Sequence, residues 1–433
     1  MSVKISPETK RKAIVLGNNL SVVQDLGGEG VPCIVLNHHR AIATYSRYAT
    51  YKQCPDPSTE EDKAVAFLYD LCQKEGGLPV VLPVTDQWSM AVARHADRLR
   101  EVSVPCTAGW EAVELMLHKD RFSQWARDRG FRTPRSYTQE EMQRLPSEEY
   151  PVVVKPRVHR WSSNGDPQRL HAEMVRLRNT IIEDKWELER FMKREGRFMD
   201  HMFFQEYVRG GSDRIYSIGM YIDRSSRIVA SIAGHKIRGC MTNHGDTNLG
   251  ERVTPPRPIW DMAERIVREL GYVGVVEFEF KQDARTDEFV LIEVNPHLWA
   301  WCGIGLPCGM NFPLIAYQDL TGTFDPASIV PFEGRVRYAR IVFDLLNCIV
   351  YSRMGADTPK RSLREWAGDM KADRLVCREF HRNDWLVSVL LLDEAFRALM
   401  KRVLATMRRI VQRPFQRVDA KFPESPSSQS GDD

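Results

Sequence analysis

Strong charge bias, long apolar runs, internal repeats and paired cysteines are all missing from this chain of 433 residues. Lys and Arg number 61 against 58 Asp and Glu, a net charge of +3, which predicts no global attraction to nucleic acid. The longest apolar runs, 79–84 and 387–392, fall far short of the roughly 20 residues that a membrane span requires. No self-similarity at solenoid periods is present. The opening MSVKISPETKRK is polar and lacks the apolar segment of a secretory signal. The nine cysteines form no CxxC pair and no metal-ligand spacing, and such an odd, scattered set fits reduced thiols packed as small hydrophobes. These absences predict a cytoplasmic protein without a catalytic cysteine. What remains, 43% hydrophobic and 27% charged residues, is the composition of a globular chain of about two to four domains.

The first third alternates in βα fashion. Residues 12–16 (KAIVL), 31–36 (VPCIVL) and 78–84 (LPVVLPV) read as strands, and 21–28, 60–76 and 88–99 as helices between them. Strands separated by helical segments of this length predict a parallel sheet buried on both faces. GNNLS after the first strand is not GxGxxG and reads as a tight turn. Beyond residue 110 the pattern changes to α+β. Helices are expected at 112–129, 139–144, 170–197 and 259–270, with strands at 152–155, 203–208, 272–280 and 289–294 and a hairpin over 215–233. A separate α-rich portion is expected from about 333, followed by a disordered polar tail.

Side chains two apart on a strand share a face, so Glu277 and Glu279 align, as do Glu293 and Asn295. If the two strands pair antiparallel across QDARTDE, Glu277 comes near Glu293 and Asn295. A cluster of carboxylates and an amide suits Mg²⁺. The alternative is a solvated hairpin face, although the flanking Val, Phe, Leu and Ile argue for a buried setting, where uncompensated carboxylates are costly.

Taken in order, LHKDRF (117–122), PVVVKP (151–156), FFQEYVRGGSD (203–213), VGVVEFEFK (273–281) and LIEVNPHLWAW (291–301) make the chain similar to the ATP-grasp superfamily. The resemblance, over roughly residues 12–325, lies nearest the carboxylate–amine ligase branch, which includes D-aspartate ligase-like and carbamoyl-phosphate-synthase-like members. It implies an N-terminal parallel α/β domain (1–115), an ATP-grasp domain (116–330) with a lid at about 151–210, a C-terminal helical extension (331–418) and the tail (419–433). It implies ATP and Mg²⁺ as cofactors, Mn²⁺ standing in for Mg²⁺, and small-molecule carboxylate and amine substrates joined through an acyl-phosphate. By the same resemblance Lys119 and Lys155 contact phosphates, Glu206 and Val208 border adenine, Asp213 takes the ribose, and Glu277, Glu293 and Asn295 hold the metal. Lys236, Arg238 and His244, in the loop GHKIRGCMTNHGD, face the phosphates or the acyl intermediate, with His297 beside them. For Lys119, Asp213 and His244 the plainer alternatives are an exposed helix lysine and two turn residues, and for Trp299 and Trp301 ordinary core.

Two departures stand out. The family arginine of NPR is His297 here, which offers no bidentate fork and shifts the expected contact toward Arg238 or Arg335. The glycine-rich lid loop is replaced by RVHRWSSNGDPQ, with one glycine. Finally, 396–415 places Phe396, Leu399, Met400, Val403, Leu404 and Met407 at helical period with Lys401, Arg402, Arg408 and Arg409 opposite. That stretch is either a weak peripheral membrane contact or a helix docked on the protein. A homodimer is left open, and the alternatives to ligation are phosphotransfer to a small molecule or non-catalytic nucleotide binding.

Overall fold

The computed structural model describes residues 10–156, 177, 179–240, 246–354 and 360–416. Its first five strands are β1 (Ala13–Leu16), β2 (Cys33–Asn37), β3 (Ala49–Gln53), β4 (Val80–Pro83) and β5 (Val104–Pro105). They form a parallel sheet in the order β3-β2-β1-β4-β5. Its central strand is apolar at every position because both faces are covered. Ala13 and Val15 pack toward Val22, Val23 and Leu26, while Ile14 and Leu16 pack toward Leu68 and Leu71 of the helix Glu61–Glu75. The edge strand β3, ATYKQ, is half exposed and carried no apolar signal in the sequence.

The next four, β6 (Ser136–Tyr137), β7 (Val152–Pro156), β8 (Thr180–Ile182) and β9 (Met202–Glu206), make an antiparallel sheet in the order β6-β9-β7-β8. Two helices expected here are divided. The expected helix 112–129 is two, Trp110–Leu117 and Lys119–Asp128, separated at His118, where ψ turns to 89° without a Gly or Pro to signal it. Within 170–197, described residues form β8 and then the helix Lys185–Glu195. Asn179 adopts positive φ, Thr180, Ile181 and Ile182 are β-branched, and Asp184 caps the helix by accepting from the Glu187 N–H.

The third sheet holds β10 (Ile215–Ile222), β11 (Ile228–Gly239), β12 (Thr247–Val253), β13 (Gly274–Gln282), β14 (Phe289–Asn295), β15 (Val336–Ala339) and β16 (Arg374–Cys377). Its order is β14-β13-β10-β11-β12-β15-β16. The expected helical C-terminal portion is present in Leu363–Asp369 and Trp385–Gln416, but the same segment also adds β15 and β16 to this sheet, antiparallel and then parallel. Residues 419–433 lie outside the described residues.

Trp299 and Trp301 follow β14 and lie across the sheet where strands carry glycine. A Cβ at Gly219 would fall 2.0 Å from Trp299, and one at Gly234 would fall 2.2 Å from Trp301. Both tryptophans are buried core, as one of the two sequence readings had it, and both also border the cavity described below. Gly219→Ala is therefore expected to cost about 1–3 kcal/mol by overpacking, read as a lower urea midpoint at unchanged slope.

Candidate active site

A cavity of about 730 Å³ lies between the antiparallel four-stranded sheet and the seven-stranded sheet, with the ends of the parallel sheet closing one side. Val153, Lys155, Gln205 and Glu206 line it from one sheet, and Lys236, Glu277, Glu279, Glu293 and Asn295 from the other. Asn18, Asn19, Thr85 and Asp86 enter from loops after β1 and β4. Those two strands are where the order of the parallel sheet reverses, so their following loops diverge and leave a crevice at the carboxyl ends. Asn19 donates to the Trp299 carbonyl at 2.9 Å, tying that loop to the turn after β14.

The acidic face forms as the strand pattern requires. β13 and β14 pair antiparallel, with Glu277 opposite Asn295 and Glu279 opposite Glu293. Glu277 accepts from Asn295 Nδ2 at 3.0 Å and from the Trp301 indole at 3.2 Å, and it is 2% exposed. Burial, with the neighbouring Glu279 charge, pushes its pKa up to about 8. Glu279 sits one rung nearer the open end and is half-buried. The carboxylate pair directly opposed across the strands is thus Glu279 and Glu293, with Glu277 behind it.

Four lysines line the same cavity. Lys119 begins its helix and pairs with Glu293. Lys155 and Lys236 line the cavity. Lys281 also lines it, a position the sequence motif contained without marking. Burial lowers the Lys281 pKa to about 8, and its ammonium lies 4.8 Å from the Tyr207 ring.

Several expected roles need correction. Glu206 reaches the cavity wall, but its carboxylate accepts from Arg132 at 3.0 and 3.2 Å, from the Arg135 amide at 3.1 Å and from Arg285 at 3.1 Å. Val208 is buried and lines the cavity. Asp213 is exposed and does not line it. Arg238 does not face the site. A bulge between Lys236 and Arg238 on β11 breaks the two-residue alternation, so Lys236 enters the cavity while Arg238 turns to Asp344 and Asp369. Arg335 is exposed outside the cavity. His244 and the lid segment 157–169 lie outside the described residues.

His297 does line the cavity. Its Nδ1 faces the Leu298 carbonyl at 3.0 Å and its Nε2 faces Asp86 Oδ1 at 2.9 Å. Two acceptors, one per ring nitrogen, favour the doubly protonated ring. Burial pulls its pKa down, but the Asp86 carboxylate and the Leu298 carbonyl outweigh this and the net shift is upward. The expected loss of cationic character at this position is thereby offset by an acid at the start of the helix after β4.

Beyond Lys281 and Asp86, sequence reasoning missed Arg340 and Arg378. They follow β15 and β16, whose parallel register pairs Ala339 with Cys377, and both line the cavity, with the Arg340 guanidinium 3.5 Å from Asp246 Oδ2. The Arg340 Nε is buried without a hydrogen-bond partner among the described residues. No local motif marks them, because the register between distant segments is what brings them together.

A two-lobed cleft of this build, with a parallel N-terminal sheet beside it, is the ATP-grasp fold. Among solved structures, the biotin carboxylase domain of the Hydrogenobacter thermophilus 2-oxoglutarate carboxylase, a dimer in complex with MgADP and bicarbonate, matches with a TM-score of 0.54 at 15% identity, over 75% of this chain and 73% of that one. L-amino acid ligase from Bacillus licheniformis matches with a TM-score of 0.53 at 15% identity, over 76% and 79%. In sequence, the resemblance to the carboxylate–amine ligase branch holds in a curated relative, the D-aspartate ligase of Enterococcus faecium (strain Aus0004). It is 21% identical over 225 residues, 48% of this chain and 51% of that protein, so the chain spans about half the relative's length. No protein-family model matches.

Proposed function

We propose that the chain is an ATP-dependent ligase that joins a small-molecule carboxylate to an amine. The observation that carries this reading is the Glu279–Glu293 pair with Asn295, set against Lys119, Lys155 and Lys236 in one cleft between two sheets. Oxygen donors in this number, with a third carboxylate whose pKa burial pushes up, fit Mg²⁺, and Mn²⁺ could stand in for it. Glu279, Glu293 and Asn295 would hold the ion and Glu277 would orient Asn295. The ion would supply charge neutralisation for nucleotide phosphates.

The chain's own side chains account for the rest. Lys155 and Lys236 would bind phosphate oxygens, and the backbone at 206–208 would border the base. A carboxylate oxygen of the substrate attacks the γ-phosphorus and ADP leaves. The amine then attacks the acyl carbon, phosphate leaves, and the amine's proton passes to solvent. Lysines, His297 and the arginine pair offer fixed positive charge to the phosphoryl group in transit.

Arg340 and Arg378 are assigned to the substrate carboxylate, since both line the cleft and guanidinium groups are complementary to an anion. Arg340→Ala is expected to raise KM for the carboxylate about 100-fold, with KM for ATP changed less than about twofold, corresponding to a lost charge-assisted pair of about 2–3 kcal/mol. The parent reading is tested by ADP and phosphate release from pools of amino acids, with mass spectrometry of the product. An amide and free phosphate support it, a stable phosphorylated product selects phosphotransfer instead, and ATP binding without turnover on any pair selects a regulatory protein.

A further inference from the structure

The chemistry proposed above gives Lys281 no contact of its own. It follows Glu277 and Glu279 on the cavity face of β13, while Phe278 and Phe280 fill the core on the other face. The residue lines the cavity and is only 4% exposed. An ammonium carries three donors and no acceptor. Among the described residues Lys281 uses none of them, making no hydrogen bond and no ion pair. The Tyr207 ring, 4.8 Å from its Nζ, attracts the charge but is a poor substitute for an oxygen acceptor. Lys119, by contrast, is paired with Glu293. A buried charge with open donors is costly, so Lys281 calls for an acceptor brought into the cavity by a ligand.

Its neighbours decide which part of a nucleotide would supply that acceptor. Tyr207 belongs to the 206–208 strip assigned to the base, and Lys281 lies against its ring. Glu279, assigned to the ion, lies two residues back along β13, a distance of about 7 Å. Between a base and ion-bound phosphates come the ribose and then the α-phosphate, and contact with Tyr207 puts Lys281 at the ribose end. Charge points the same way. Asp283 and Asp213 already act on the ammonium as negative charges, although neither forms an ion pair with it. The ammonium therefore lacks an acceptor more than a counter-ion, and a neutral hydroxyl answers that need. Asp213, which the sequence offered for the ribose, is exposed outside the cavity.

We propose that Lys281 is the ribose-binding residue of the cleft, donating to a hydroxyl of the nucleotide sugar, an assignment that rests on the ATP-dependent function proposed above. Its test is calorimetric binding of ATP, 2′-deoxyATP and 3′-deoxyATP, each with Mg²⁺, to the full chain and to Lys281→Met. The parent chain is expected to bind ATP about tenfold tighter than the analogue that lacks the contacted hydroxyl. In Lys281→Met, ATP should weaken about tenfold and bind no better than that analogue, whose own affinity moves less than about twofold. The ligand-free melting temperature should stay at or above the parent's, because methionine removes an unpaired buried charge. Lys281→Gln keeps a neutral donor and should retain a preference of about threefold, which gives a second measurement should the methionine variant fold poorly. A loss in Lys281→Met shared equally by all three nucleotides would put the ammonium on a phosphate and overturn the assignment. Sugar discrimination surviving intact in both variants, or a parent chain that binds all three alike, would overturn it as well. A parent chain that binds no nucleotide would overturn the ATP-dependent function itself and this assignment with it.

Discussion

Glu293→Gln and Glu279→Gln are each expected to lower turnover about 10³-fold with the fold intact, while Glu277→Gln costs only about 10–100-fold. The first two remove a negative oxygen donor from the pair opposed across β13 and β14. In phosphoryl transfer almost all of the rate comes from placing charge around the phosphates, so on the proposed assignment losing one ligand of the ion would be severe. Glu277 instead holds Asn295 and the Trp301 indole, a supporting role whose loss is smaller. A loss at Glu277 equal to that at Glu293 would return it to the ligand set and displace Glu279. The same variant carries a stability signature. The Glu277 pKa rises from 4.5 to about 8 on folding, so stability is full below pH 4.5 and is lost as pH rises through about 8. Thermal melts of the metal-free protein should fall across that window, and Glu277→Gln should flatten the dependence.

The second large effect is structural. Arg238 and Asp344 are 2% and 1% exposed and joined by two hydrogen bonds of 2.7 and 3.0 Å, with Asp369 as a second acceptor. Asp344→Ala leaves a guanidinium buried with only one partner, which costs about 3–5 kcal/mol. The pair spans β11 and the segment after β15, so the loss should appear as earlier unfolding of the seven-stranded sheet in calorimetry. At low temperature, where the variant is folded, ATP affinity is expected to stay within about threefold of the parent. Weak ATP binding by a well-folded Asp344→Ala protein would instead return Arg238 to the phosphates.

Much of this architecture was legible in local sequence. Strands such as AIVL are apolar on both faces only because helices cover both faces, and the alternation of Glu277 and Glu279 follows from the strand period alone. The edge strands β3 and β16 were not legible: they are short or polar, since half of each strand meets water. The break at His118 also left no mark, although it makes Lys119 the first residue of a helix and sets it against Glu293. Arg238 shows the limit of period reasoning. One bulge on β11 exchanged a cavity residue for a buried ion pair.

By itself the sequence determined the class of fold and the acidic strand pair, because both depend on periods of two and 3.6 residues and on turns a few residues long. Only the tertiary structure decided which cations meet those acids. Asp86 against His297, 211 positions away, and Arg340 with Arg378 at one cavity are joined by sheet register and domain packing. Contacts of that kind rest on the summed burial of many side chains, and no short stretch of chain encodes them.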